Sequence, residues 1–120
     1  MSNEKSFGKL SLKIGEYEGD IVNGEPHGKG KMTLSNGNVY EGDFVEYFFE
    51  GKGIYKMANG NVYEGDFVQS NFHGKGKAIS SNGDVYEGDF FENNPHGQGK
   101  LTLADGTVQE GIWKNGEFTG

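Results

Sequence analysis

The chain has 120 residues, of which 32% are hydrophobic and 22 are glycine, and its 18 acidic and 11 basic residues give a net charge of −7 at pH 7. That charge argues against binding to nucleic acid and disfavours binding to anionic lipid, because both attract a positive protein surface. Cysteine is absent, which excludes a disulfide framework and a thiolate metal site. The sequence has no signal-peptide pattern and no apolar run of membrane-spanning length, so we expect a cytoplasmic protein.

The first segment, residues 1–16, is predicted to form a capping strand at one end of the fold. Its run Gly8-Lys9-Leu10-Ser11-Leu12 resembles the later run from Gly30 to Leu34, with one residue deleted before Tyr17. Both runs alternate with period two, which is typical of strands.

The rest of the chain is built from a repeated unit. Tyr-Glu-Gly-Asp begins at Tyr17, Tyr40, Tyr63 and Tyr86, each 23 residues after the last, and Gln109 starts a degenerate copy. A fixed period of this length indicates one small supersecondary unit that stacks on its neighbours. We therefore predict four units, at 17–39, 40–62, 63–85 and 86–108, followed by a partial unit at 109–120.

The repeat is predicted to form hairpins of two short strands, such as 28–34 and 39–44, joined through Ser35-Asn36-Gly37. This turn could hold two residues or three, and the choice sets which side chains face each other. The three-residue turn is preferred because it brings opposite charges together and apolar groups together. In that register the facing pairs are Leu34 and Asn38, Lys31 and Glu41, Lys29 and Asp43, and Met32 and Tyr40.

The same register, carried across the longer loop of each unit, aligns like residues in rows perpendicular to the strands. One row is made of glycine, and two rows on the opposite face alternate in charge. The glycine row consists of Gly30, Gly42, Gly53, Gly65, Gly76, Gly88, Gly99 and Gly111, and the charged rows contain Lys31, Glu41, Lys29, Asp43 and their repeats. Beside the glycines, Phe44 is predicted to lie between Gly28 and Gly51, and Phe67 between Gly51 and Gly74.

The predicted fold is all-β, an elongated, twisted, single-layer antiparallel meander of about ten strands. One face of this sheet is charged, and the other is aromatic and lined with glycine. A single layer leaves the aromatic face without cover from the chain itself. Either curvature alone partly buries the rings, or an amphipathic helix of a protein partner or a second copy of the chain covers them.

The succession Tyr-Glu-Gly-Asp-Phe, His-Gly-x-Gly and Asn/Asp-Gly at this spacing resembles the MORN repeat (membrane occupation and recognition nexus). The resemblance extends over 17–108 and over half a unit at 109–120. It implies an elongated antiparallel sheet with a scaffold or targeting role at membrane–cytoskeleton structures, cilia or division sites. It also implies binding to protein partners, self-association or phosphoinositide binding, and some enzymes carry such repeats beside a catalytic domain.

No residue pattern indicates catalysis, a cofactor or a metal site. His27, His73 and His96 recur at one position of the unit. Successive units are offset by two strands, on the order of 10 Å, whereas a zinc ion needs its ligands at about 2 Å. Glu41 and Asp43 recur opposite lysine, which favours a structural role. We therefore predict a non-enzymatic chain without a cofactor.

The second unit departs from the others in its long loop, which reads Glu46-Tyr47-Phe48-Phe49 where the other units have polar residues. Three exposed aromatic residues would form a candidate contact site, because apolar clusters on a surface mark interfaces. Alternatively, these rings fold back onto the sheet. The same unit has Ile54 at a position that is lysine in the others, and Tyr55 opposite Tyr40.

The main functional hypothesis is a protein-interaction or scaffold module that binds a protein segment or self-associates through its aromatic face. The predicted partner-binding residues are Tyr40, Phe44, Tyr47, Phe48, Phe49, Tyr55, Tyr63, Phe67, Tyr86 and Phe90. Two alternatives stay open at this point. One is a phosphoinositide-binding membrane adaptor, which the charge disfavours, and the other is a targeting fragment of a larger enzyme.

Overall fold

The computed structural model describes residues 5–120, which form one open antiparallel sheet of eleven strands, without a helix in that range. Neighbouring strands in the sequence are neighbours in the sheet, and the molecule measures 54 × 27 × 18 Å. The strands are β1 (Lys5–Leu12), β2 (Gly15–Val22), β3 (Glu25–Leu34), β4 (Val39–Val45), β5 (Phe48–Lys56), β6 (Val62–Val68), β7 (Asn71–Ile79), β8 (Val85–Phe91), β9 (Asn94–Thr102), β10 (Val108–Lys114) and β11 (Glu117–Phe118). The predicted meander is confirmed, with a short final strand in addition.

The three-residue turn that leads from each unit to the next is confirmed. The Leu34 amide donates a hydrogen bond to the Asn38 carbonyl at 2.8 Å, and the Gly37 amide donates to the Leu34 carbonyl at 2.9 Å. Gly37 has φ 95°, in the left-handed region that glycine adopts without a steric penalty. The hydrogen bond equivalent to that between Leu34 and Asn38 joins Met57 with Asn61, Ser80 with Asp84, and Leu103 with Thr107.

The loop within each unit is shorter than the sequence indicated. Glu46 and Tyr47 alone form it, with φ of 47° and 75°, as a two-residue turn of type I′ requires. Phe48 and Phe49 already belong to β5, so the prediction of a long loop is wrong. The equivalent turns are Asn23-Gly24, Gln69-Ser70, Glu92-Asn93 and Asn115-Gly116, all at positive φ.

A bulge compensates for the tight turn and shifts the register beside it. The glycine row forms as predicted, with Gly42 opposite Gly53, but Phe44 lies opposite Phe49. Phe44 therefore lies between Gly28 and Phe49, and the prediction that Gly51 lies beside Phe44 is wrong. Phe67 likewise lies between Gly51 and Phe72 instead of between Gly51 and Gly74.

The bulge also gives the aspartate of each unit a second role. Asp43 faces Lys29 across β3, as predicted, and the two side chains form an ion pair. On its other side Asp43 has no opposite residue in β5, and its Oδ2 accepts a hydrogen bond from the Lys52 amide at 3.3 Å. The carboxylate thus holds the bulge in place.

The aromatic face proves to be the hydrophobic core of the fold. Tyr40 and Tyr63 expose 0% of their surface, and Phe44 and Phe67 expose 1%. A Cβ at Gly53 would lie 2.4 Å from the Tyr40 ring, so the ring lies directly on the glycine backbone of the next strand. The expectation that these rings lack cover from their own chain is wrong, because neighbouring units cover them.

Edge-to-face contacts connect the rings of successive units into one continuous column. The order along the column is Tyr17, Phe44, Tyr40, Phe67, Tyr63, Phe90, Tyr86 and Trp113, with ring centroids 4.9 to 5.3 Å apart. Each phenylalanine therefore contacts the tyrosine of its own unit and that of the preceding unit. This interlocking explains how a single layer can bury its aromatic residues.

Candidate functional site

Most of the residues predicted to bind a partner are structural. The buried members are Tyr40, Phe44, Phe49, Tyr63, Phe67, Tyr86 and Phe90. Phe49 stacks on Tyr40 with centroids 3.9 Å apart and an interplanar angle of 6°. Of the three aromatics in the second unit, Phe49 therefore folds back onto the sheet. Tyr55 is partly buried between Phe49 and Phe72, and its hydroxyl accepts a hydrogen bond from Asn38 Nδ2 at 2.7 Å.

The hydroxyls of the buried tyrosines donate hydrogen bonds to backbone carbonyls within the fold. Tyr63 donates a hydrogen bond to the Asp66 carbonyl at 2.7 Å, and Tyr17 and Tyr40 make the equivalent bond in their own units. Burial, with a smaller contribution from the Asp66 carboxylate, raises the pKa of Tyr63 to about 12. Burial and Asp20 likewise raise the pKa of Tyr17 to about 12.

We expect these tyrosines to make the fold sensitive to alkali. An unfolded tyrosine loses its proton near pH 10, so the stabilisation by Tyr17 and Tyr63 is complete below about pH 10. It is lost as the pH rises towards the folded pKa of about 12. The midpoint of urea unfolding should therefore fall steadily over that interval. A Tyr63→Phe variant should show a smaller fall, and an equal fall would show that ionisation of Tyr63 does not contribute to it.

Two predicted residues remain exposed and lie within a larger apolar surface. Tyr47 exposes 41% and Phe48 exposes 47% of its surface, and Val45, opposite Phe48, exposes 38%. Val68 and Phe91 occupy the position of Val45 in the next two units and are also exposed. We call the set Val45, Tyr47, Phe48, Val68 and Phe91 the turn-side stripe, since it follows the two-residue turns along one rim of the sheet.

Part of the stripe could have been found in the sequence. Val45, Val68 and Phe91 each follow the buried phenylalanine of the Tyr-Glu-Gly-Asp-Phe segment. Successive strand residues point to opposite faces, so these three side chains lie on the face opposite the ring column. Their recurrence every 23 residues was a usable signal.

A family model of the MORN repeat matches residues 17–39, 40–62, 63–85, 86–108 and 110–120. The chain belongs to the MORN-repeat family. The resemblance noted in the sequence is thereby confirmed over five consecutive repeats. No curated protein matches the chain.

Cations on the charged face of the MORN sheet are engaged by carboxylates. Lys29 pairs with Asp43, Lys52 with Asp66 and Lys75 with Asp89. The hydrogen bond from Lys75 is the main cause of a lowered pKa at Asp89. Near the stripe the charges are negative, because Glu46 and Glu92 occupy the exposed first position of two turns. The surroundings of the stripe therefore combine apolar side chains with carboxylates.

Two histidines of the MORN repeats, His73 and His96, have identifiable structural contacts. His96 Nδ1 accepts a hydrogen bond from the Asn115 amide at 3.2 Å, which ties the last unit to its neighbour. The His73 ring lies 5.2 Å from the Phe91 ring, at the end of the stripe. Within residues 5–120, no three histidine or acidic side chains lie close enough to hold one metal ion. A search of the same residues finds no helix able to span a membrane.

Tyr47 is held in a conformation that tyrosine rarely adopts. Its φ is 75°, and glycine, serine or asparagine occupies this position in the other turns. A bulky residue in the left-handed region is destabilised by roughly 1–2 kcal/mol. Because the side chain is also substantially exposed, burial offsets little of this cost.

The Tyr47→Gly variant should therefore be more stable than the natural chain. Glycine at this position matches the preferred second residue of a type I′ turn, so we expect a gain of about 0.5–1 kcal/mol. Urea unfolding of the purified chain measures it. A loss of stability would show that the Tyr47 ring contributes packing that outweighs the backbone strain.

Proposed function

We propose that this chain is a non-enzymatic protein-interaction module that captures an apolar segment of a protein partner on the turn-side stripe. MORN repeats in general are protein- or membrane-interaction modules, and the repeat itself is non-catalytic. The observation that carries the proposal is the exposed apolar stripe beside a core that is already complete. The aromatic column fills the interior without any contribution from Tyr47 or Phe48.

Exposed aromatic residues supply large contact areas when a partner covers them, and they are enriched among the residues that dominate binding energy. Tyr47 and Phe48 are the two aromatics of the stripe at a single turn, and Val45 adds to them from the facing strand. A partner segment bearing two or three apolar side chains on one side would cover this group. Cations beside those side chains would face Glu46 and Glu92.

The strain at Tyr47 supports a role in binding. Glycine at this turn would adopt the same backbone conformation with less strain, and Gly24 and Gly116 occupy the equivalent position in two other turns. A residue that costs stability and remains exposed is typical of a site retained for contact with another molecule.

Affinity capture from native extract, with three forms of the chain as bait, tests the proposal. The stripe variant carries Tyr47→Gly and Phe48→Ser. The matched control carries Ile14→Ser, which removes an apolar side chain with 52% exposure from a turn at the other rim. We expect the natural chain and the control to retain one stoichiometric protein that the stripe variant loses.

Retention of that protein by the stripe variant would contradict the proposal, provided that thermal unfolding shows the variant to be folded. Flotation with vesicles of phosphatidylcholine, with and without phosphoinositide, tests the membrane-adaptor alternative. Binding to the anionic vesicles by all three forms alike would favour that alternative over a protein partner.

A further inference from the structure

The two outermost long strands, β1 and β10, carry complementary side chains. β1 pairs on one side with β2, and β10 pairs on one side with β9. On its other side β10 contacts β11 through Trp113 and Lys114, and among the described strands none pairs with that side of Val108–Gly111. Both strands therefore present backbone donors and acceptors at an edge, where another strand can add.

The row of facing glutamates and lysines begins with a cation and ends with an anion. Lys9 faces Glu18 at one end of the sheet, and Glu110 faces Lys100 at the other. Within the sheet, lysine lies opposite glutamate in most of the intervening pairs, as at Glu64 and Lys77. A second copy placed with its Lys9 opposite Glu110 would continue the alternation.

The neighbouring row has charged pairs in its interior and apolar residues at both ends. Its central pairs are Lys29–Asp43, Lys52–Asp66 and Lys75–Asp89. At the first position lies Phe7, which is 71% exposed, and at the last lies Ile112, which is 42% exposed. The register that joins Lys9 to Glu110 brings Phe7 beside Ile112 and Gly8 beside Gly111, which continues the glycine row as well.

We infer that the chain associates end to end, with β1 of a second copy adding as an antiparallel strand to the outer edge of β10. The two edges differ, so the contact is heterologous, and repeated addition produces an open assembly rather than a closed dimer. The contact comprises one strand pair, which places it at the small end of the interface size range and makes the association weak.

Thr119 and Gly120 compete for part of the same edge. The Thr119 amide donates to the Ile112 carbonyl at 2.8 Å, and the Ile112 amide donates to the Gly120 carbonyl at 3.4 Å. In the register proposed here, Phe7 and Gly8 of the second copy run where these two residues lie, beside Ile112 and Gly111. The two residues must leave the edge when the second copy adds, so their removal should strengthen the association.

Analytical ultracentrifugation of the whole chain over a wide concentration range tests the inference. We expect the weight-average mass to rise with concentration past that of a dimer. Phe7→Ser and Lys9→Glu should each lower the association constant about two- to fivefold, given the strength of single cross-strand pairs. An equimolar mixture of Lys9→Glu and Glu110→Lys chains should recover the association that each variant alone has lost.

The control is Lys56→Glu, which changes the net charge as Lys9→Glu does but lies in β5, inside the sheet. It should leave the association constant unchanged. Thermal unfolding checks that every variant is folded. A chain that stays monomeric with and without Thr119 and Gly120 would overturn the inference, and so would a mass that saturates at a dimer. Stripe variants should associate normally, which separates this test from that of the proposed function.

Discussion

The Gly76→Ala variant is expected to lose about 3 kcal/mol of unfolding free energy, although it adds one methyl group. A Cβ at Gly76 would lie 2.3 Å from the Tyr63 hydroxyl oxygen and 2.5 Å from two carbons of its ring. The backbone there is bonded into the sheet and the ring is wedged between phenylalanines, so neither can move aside without breaking contacts. The ring must leave its position, and the variant loses the packing of a fully buried tyrosine.

Gly8→Ala is the matched control, because Gly8 extends the glycine row through Gly19 but has no ring above it. A Cβ at Gly8 would meet the Ile21 side chain at 3.4 Å, an ordinary contact distance. Urea unfolding should show Gly8→Ala within about 0.5 kcal/mol of the natural chain. Equal losses in both variants would show that the row needs glycine for its backbone conformation and not for the ring.

Local signals in the sequence were sufficient for the register across the three-residue turn. Ser35-Asn36-Gly37 ends in a glycine suited to positive φ, and the two possible registers differed in whether Lys31 faced Glu41 or Gly42. Pairing of opposite charges selected the register that the structure shows. The glycine row followed from the same choice, since each of its members lies at a fixed distance from a turn.

The shorter turn within each unit could not be predicted in the same way, because most of these turns lack the expected residues. Asn23-Gly24 and Asn115-Gly116 carry the asparagine–glycine signal of a type I′ turn, whereas Glu46-Tyr47 does not. The bulge that shifts Phe44 onto Phe49 depends on that turn. An error of turn length therefore displaced one predicted neighbour of Phe44 and one of Phe67.

Burial of the ring column also could not be predicted from the sequence. Whether Tyr40 is exposed depends on how closely Phe44 and Phe67 approach it, and Phe67 belongs to the next unit. That approach is set by the twist and curvature of the whole sheet, which local patterns do not specify. Much of the predicted binding face consequently became core, while Tyr47 and Phe48 remained exposed as part of a stripe on the other face.

Tyr63→Ala should be the most destabilising substitution of a single side chain, because Tyr63 lies in the middle of the column. Its ring stacks on Phe72 at 3.9 Å and meets Phe67 and Phe90 edge-on at 5.1 and 5.0 Å. Truncation of a fully buried aromatic residue costs about 3–5 kcal/mol. The contacts that the variant loses include those between units, so unfolding should also become less cooperative, as in other repeat arrays.

The Tyr63→Phe variant separates the ring from its hydroxyl. Phenylalanine keeps the stacking and loses the hydrogen bond to the Asp66 carbonyl, so its cost should be about 1 kcal/mol. Urea unfolding followed by both tyrosine fluorescence and circular dichroism would show coincident transitions for Tyr63→Phe and separated ones for Tyr63→Ala. A Tyr63→Ala chain as stable and cooperative as Tyr63→Phe would mean that the units are held together by backbone pairing and not by the interlocked rings.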